Sequence, residues 1–192
     1  MNRSLSNRQP GFTIIELLAG IVLSAILLAG LYSVFFSQQT AFSAQEQVAE
    51  MNQNIRAALD LMTREIRLAG YKTSTSTFSG IATATSNSLR ILADLNQDGD
   101  TADDNEDITY TYNAGTMQIC RNGVSLPVAD NITSLAFQYT LKNGTVTSAP
   151  ANPADIRKIT ISIAARTTHP DRDGTFRTIT LTSDITPRNL AS

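Results

Sequence analysis

Three regimes of hydrophobic patterning follow one another along the chain. From Phe12 to Phe36 apolar residues run almost without interruption, and residues 17–36 carry no charged side chain. From Gln38 the run becomes periodic: Phe42, Val48, Met51, Ile55, Leu59, Met62, Ile66 and Ala69 recur mainly three and four residues apart, with polar residues such as Glu50, Arg56, Asp60 and Arg64 between them. That spacing lays one apolar stripe along a helix. No proline occurs between Phe12 and Leu126, so nothing breaks the helix before Gly70, which with Tyr71 supplies a C-terminal stop. The third regime opens with KTSTSTFSGIATATSNS, a Ser/Thr-rich loop with room for one edge strand.

β-branched and aromatic residues then concentrate in 89–93, 108–113, 116–121, 132–141, 156–166 and 175–182, which predicts six strands. Ala114-Gly115, Asn122-Gly123 and Asn143-Gly144 between them are hairpin chemistry. The expected fold is α+β. A long N-terminal helix, membrane-spanning in its first half, packs its second half against a mostly antiparallel β-sheet domain.

The apolar segment Phe12 to Phe36 covers about 37 Å as helix at about 1.5 Å per residue, enough for a hydrocarbon core of about 30 Å. Arg3 and Arg8 precede it with no acidic residue before Glu16. Positive flanks stay cytoplasmic, so everything after the span is expected outside the cytoplasm. An ordinary cleaved signal peptide has a shorter core and a small-residue cleavage site, whereas here polar helix follows directly. A plain signal anchor explains the length but not Glu16, since a carboxylate in hydrocarbon costs about 2.5 to 3.5 kcal/mol on insertion scales. The helix macrodipole returns only about 0.3 to 1 kcal/mol of that. A third reading places cleavage between Gly11 and Phe12, so that the apolar helix is kept.

GFTIIELLAGIVLSAIL, residues 11–27, resembles the N-terminal signature of type IV prepilins and type II secretion pseudopilins. The resemblance implies that a prepilin peptidase cuts after Gly11, that Phe12 is methylated as the new N-terminus, and that Glu16 pairs with the Phe12 amine of a neighbouring subunit during assembly. It divides the chain into a leader (1–11), an apolar transmembrane and assembly half of the helix (12–36), an amphipathic half (37–70) and a β-rich head (71–192). LDLMTREIRLAGY, residues 59–71, and the ending Arg188-Asn189-Leu190 are similar to PilW-type minor pilins, and the first also to the J-type minor pseudopilin. The implied role is a structural subunit in pilus initiation and assembly, working with other minor and major pilins and an inner-membrane assembly platform, in the inner membrane and then at the cell surface. A J-type pseudopilin of type II secretion and a membrane-tethered periplasmic binding or adhesion module are the alternatives. Gly20, Ser24, Ala25 and Ala29, small residues four apart in pairs, suit close helix packing in either of the first two.

Charge narrows the rest. The chain has 15 basic and 17 acidic residues; without Arg3 and Arg8 the balance is 13 against 17, which argues against a broad basic face for nucleic acid. Cys120 is the single cysteine, so neither an intrachain disulfide nor a cysteine metal cluster is available. His169 is the single histidine, placed before a proline in a turn, and no nucleophile elbow or phosphate-binding loop occurs. No enzymatic activity is expected, and any filament motor is a separate protein.

One segment has the makings of an ion site. DLNQDGDTADDNED places Asp94, Asn96, Asp98 and Asp100 at alternating positions around Gly99, as in the first half of a calcium loop. Position twelve falls on Asn105, and Glu106 comes one residue late, so Asp103, Asp104 or Glu106 has to close the shell. The other reading is a solvated acidic loop between two strands.

Overall fold

The computed structural model describes residues 11–73, 76–123 and 126–190; the basic residues Arg3 and Arg8 of the expected leader lie outside them. Contacts divide the chain into two units, residues up to Gln45 and residues from Glu46 onward. One helix, α1 (Ile14–Leu68), contributes to both. In the first unit its large apolar side chains are exposed throughout, from Phe12 and Ile14 to Phe36 and Phe42. This stretch is long and apolar enough to cross a membrane, with a mean hydropathy of 2.5 over its best 18 residues.

In the second unit the stripe turns inward. Met51, Ile55, Ala58, Met62 and Ile66 are buried, a sequence of steps of four and three that keeps one helix face on the core. Among the described residues nine strands follow: β1 (Ile81–Ala84), β2 (Ser88–Leu92), β3 (Asp107–Asn113), β4 (Gln118–Arg121), β5 (Pro127–Ala129), β6 (Ile132–Leu141), β7 (Val146–Thr147), β8 (Ile156–Arg166) and β9 (Thr178–Ile185). A short 3-10 turn, Pro153–Asp155, precedes β8, capped by the Asn152 side chain. All pairings are antiparallel. Strands β1 to β5 form a meander in chain order, and the second sheet runs β7-β6-β8-β9.

Register follows burial. Leu135, Phe137 and Tyr139 of β6 stand opposite Ile163, Ile161 and Ile159 of β8, and all six are buried, because the two-residue period puts them on one face. In the first sheet Leu89, Ile91, Ile108, Tyr110 and Ile119 do the same, and one apolar cluster joins both sheets to the helix. Polar bonds tie the sheets together: the Tyr139 hydroxyl donates to the Thr85 carbonyl at 2.7 Å, and the Tyr112 hydroxyl donates to the Ile132 carbonyl at 3.1 Å.

The strands expected at 132–141 and 156–166 match β6 and β8, and those at 89–93 and 108–113 match β2 and β3 within a residue. Two shift. Thr116 and Met117 belong to the β3–β4 turn, where Asn113 Oδ1 accepts from the Gly115 and Thr116 amides and Met117 takes a φ of 56°. Thr175 to Arg177 belong to the approach to β9; there the Arg166 guanidinium lies 4.2 Å from the Phe176 ring centre and Arg177 Nε donates to Asp171 at 2.8 Å. Cys120 is buried in β4 as a small packed side chain, and His169 is exposed.

Candidate functional site

Glu16 sits in the first turn of α1. Thr13 and Glu16, three apart, form a capping box: the Glu16 amide donates to Thr13 Oγ1 at 3.3 Å, and the Thr13 amide and hydroxyl both donate to Glu16 Oε2 at 3.3 Å. These contacts satisfy amides that a helix start leaves without partners. The carboxylate is exposed and has room to reach further. Gly11 and Phe12 lie just before the helix in non-helical backbone, both exposed, with nothing within 4 Å of the space a Gly11 side chain would occupy. Among the described residues, the signature therefore presents an exposed peptide bond between Gly11 and Phe12 and, four residues beyond Phe12, a carboxylate held by its own turn. A Thr-x-x-Glu spacing at a helix start is the sequence signal for this cap.

The acidic loop is organised around two buried carboxylates. Asp94 and Glu106 are 0% and 2% exposed. Asp94 Oδ2 accepts from the Ser76 hydroxyl and from the Gly99 amide, each at 3.1 Å. Glu106 Oε1 accepts from the Leu95 amide at 2.7 Å and the Asn96 amide at 3.2 Å. Gly99 can turn back over Asp94 because it takes a φ of 102°, which side-chain-bearing residues rarely adopt. In the same loop, one carboxylate oxygen from each of the exposed Asp98, Asp100 and Asp103 lies within 4.8 Å of the other two.

Asn96 presents its amide nitrogen to this group, donating to Asp98 Oδ2 at 2.9 Å and Asp103 Oδ2 at 2.6 Å, while its oxygen accepts from the Asp98 amide. The Asp103 carboxyl is held above its usual range by desolvation and then by the charges of Asp98 and Glu106. Asp98 is lowered by the hydrogen bonds it accepts from the Asp100 amide and the Asn96 side chain. Asp107 is outside the group, engaged by Arg90 at 2.5 Å and lowered by that hydrogen bond. Of the residues expected to ligate an ion, Asp98 and Asp100 converge with Asp103, Asp94 and Glu106 are buried, and Asn96 acts as a donor.

Glu65 lies on α1, partly buried. It accepts from the Tyr110 hydroxyl and from Arg121, whose guanidinium lies 3.1 Å away, and Arg121 also donates to Asn105 Oδ1 at 2.7 Å. Burial, then the bond to Glu65, pushes the Tyr110 phenol well above its ordinary value. The Arg-containing triad fixes the last turns of α1 against β3 and β4, beside the acidic loop. Only tertiary structure brings positions 65, 110 and 121 together.

Two families match the chain. Residues 6–32 match the prokaryotic N-terminal methylation motif, which contains Gly11, Phe12 and Glu16. Residues 44–185, more than half of the chain, match the family described as prepilin peptidase-dependent protein B. No curated protein matches, and no solved structure does.

Proposed function

The chain belongs to the prepilin peptidase-dependent protein B family, and on that premise we propose that it is a PilW-like minor pilin, a structural subunit and not an enzyme, that takes part in initiating and assembling type IV pili. It is a pilin-like protein that depends on prepilin peptidase and carries the N-terminal methylation motif, with an apolar helix suited to single-pass anchoring. The proposal adds the steps. The peptidase cuts between Gly11 and Phe12, Phe12 is methylated, and the head stands on the far side of the inner membrane from Arg3 and Arg8. The helix then leaves the bilayer to pack among like helices of other minor and major pilins on an inner-membrane assembly platform.

The observation that carries this reading is the continuous exposure of apolar side chains from Phe12 to Phe36, a stretch whose one acid, Glu16, is exposed and bonded within its own turn. Lipid covers such a surface before assembly, and neighbouring helices cover it afterwards. In the second environment Glu16 needs a positive partner, and the Phe12 amine of an adjacent subunit has the right charge at the right depth. Mass spectrometry of the membrane-extracted protein tests the first step: the mature chain is expected to begin at Phe12 with one added methyl group. A chain that still begins at Met1, or begins beyond Phe36, overturns the reading. Recovery of the protein in sheared pili supports the pilus assignment. Loss of type II secretion on deletion, with pili intact, assigns it instead as a J-type pseudopilin. A protein absent from every filament fraction, with wild-type surface binding, is a tethered adhesion module.

A further inference from the structure

We propose that the loop from Asp94 to Glu106 binds one calcium ion, with Asp94 and Glu106 as buried ligands and Asp98, Asp100 and Asp103 closing the shell from the solvent side. The proposal concerns the head alone and stands whether or not the filament reading holds.

Among the described residues, Asp94 Oδ1 and Glu106 Oε2 are buried oxygens without a hydrogen-bond partner. Buried carboxylate oxygens are ordinarily paired, because removing them from water without compensation is costly. Both are fixed in place. The sister oxygen of Asp94 is held by the Gly99 amide and that of Glu106 by the Leu95 and Asn96 amides. The two oxygens of a carboxylate share one carbon, so each unpartnered oxygen stays close to the loop amides that hold its sister. A cation there converts two costly buried groups into ligands.

The exposed carboxylates of the same loop supply the outer ligands of the proposed shell. Oxygens bound to one calcium at about 2.3 to 2.6 Å lie at most about 5 Å apart, and those of Asp98, Asp100 and Asp103 lie within 4.8 Å of each other. An all-oxygen donor set selects a hard cation over zinc or copper. An irregular shell drawn from five carboxylates suits calcium, which accepts six to eight ligands, better than magnesium, which demands a near-ideal octahedron and keeps its waters. The ion also has a structural consequence. The Asp94 amide donates to the Tyr71 carbonyl at 2.8 Å and Gln97 donates to the Tyr71 hydroxyl at 2.7 Å, so ordering the loop clamps the exit from α1.

The test uses the full chain in detergent, stripped with chelator and then titrated with calcium chloride. Calorimetry is expected to show one site with a dissociation constant at or below about 10⁻³ M, the range of extracellular calcium modules. The unfolding midpoint is expected to rise by a few degrees at saturation. Because Asp98 and Asp103 are exposed, the double substitution Asp98→Asn with Asp103→Asn should leave the calcium-free midpoint unchanged or raised, and weaken calcium binding at least tenfold. Equal midpoints in calcium and chelator, an equal rise with magnesium, or a double variant that binds as tightly as the parent overturns the proposal.

Discussion

The contacts of Thr13 with Glu16 are 3.3 Å long, whereas hydrogen bonds to a charged partner settle at about 2.7 to 2.9 Å. The cap is therefore loose enough to yield to an ammonium group, and cap and charge can be separated. Glutamine at the third helical position completes a capping box as glutamate does. Glu16→Gln is expected to insert and be processed at the parental level yet be lost from filaments, because only the charge is gone. Glu16→Ala loses both, with about 1 kcal/mol of helix-start stability in addition. Immunoblots of membrane and sheared-filament fractions check this, and normal incorporation of Glu16→Gln would show that assembly needs the cap and not the charge. A second residue-scale prediction concerns alkali. The Tyr110 and Tyr139 phenols are both raised, chiefly by burial, with Glu65 adding to the effect at Tyr110. A phenol ionises in the unfolded chain near pH 10. Above that the unfolded state holds fewer protons than the folded state, so stability falls as pH rises. The unfolding midpoint should be flat up to about pH 9 and decline beyond about pH 10, and Tyr110→Phe should shallow that decline while lowering the neutral-pH midpoint.

At the scale of elements, the end of α1 is built by close approach of backbones. Gly70 leaves the helix with a φ of 78°, and its amide donates to the Leu92 carbonyl of β2 at 2.9 Å. A side chain at Gly80 would stand 2.4 Å from Gly70 Cα and 2.7 Å from Leu190 Cδ2, and the Arg188 amide donates to the Arg67 carbonyl at 3.3 Å. Helix end, first strand and C-terminal tail thus meet at one point. Gly80→Ala is expected to destabilise by about 1 to 3 kcal/mol through overpacking against backbone that cannot retreat. Gly70→Ala should cost about 1 to 2 kcal/mol for its left-handed conformation. Chemical denaturation of each variant measures these, and the double variant should fall short of the sum because both act on one contact. Ala69-Gly70-Tyr71 and Arg188-Asn189-Leu190, two distant stretches of the sequence, thus form one joint. Neither stretch reveals the other by period or composition. Strands β6 and β8 were legible because long alternation with one buried face leaves a period of two. β5 and β7, two or three residues long, are too short to show any period, and the division of strands between two sheets depends on contacts that alternation does not encode. The acidic loop was legible as a cluster of ligand types, but the burial of Asp94 and Glu106 was not, because it is imposed by Ser76 and by backbone amides of the folded loop.

For the whole molecule, the distribution of burial separates two kinds of stability. Every buried apolar residue among those described lies at Met51 or beyond, while the large apolar residues from Phe12 to Phe42 are all exposed. The helix before Gln45 gains nothing from a core of its own; on the proposed function its burial comes from lipid and then from other helices. The head draws on the helix from Glu46 onward, where Met51, Ile55, Met62 and Ile66 close both sheets and Asn54 donates to the Asp130 carbonyl at 2.8 Å. A chain beginning at Glu46 should accordingly be water-soluble without detergent and unfold in one cooperative step, within a few degrees of the full chain. The small loss comes from fraying of a new helix start, which leaves its first four amides without partners. Extending the deletion to Asn54 removes Met51, a 6% exposed core side chain, and should cost about 2 to 5 kcal/mol, the scale of deleting one large buried side chain. Thermal unfolding by circular dichroism distinguishes the two truncations. If the shorter deletion already abolishes the cooperative transition, the apolar half of the helix stabilises the head as well as anchoring it.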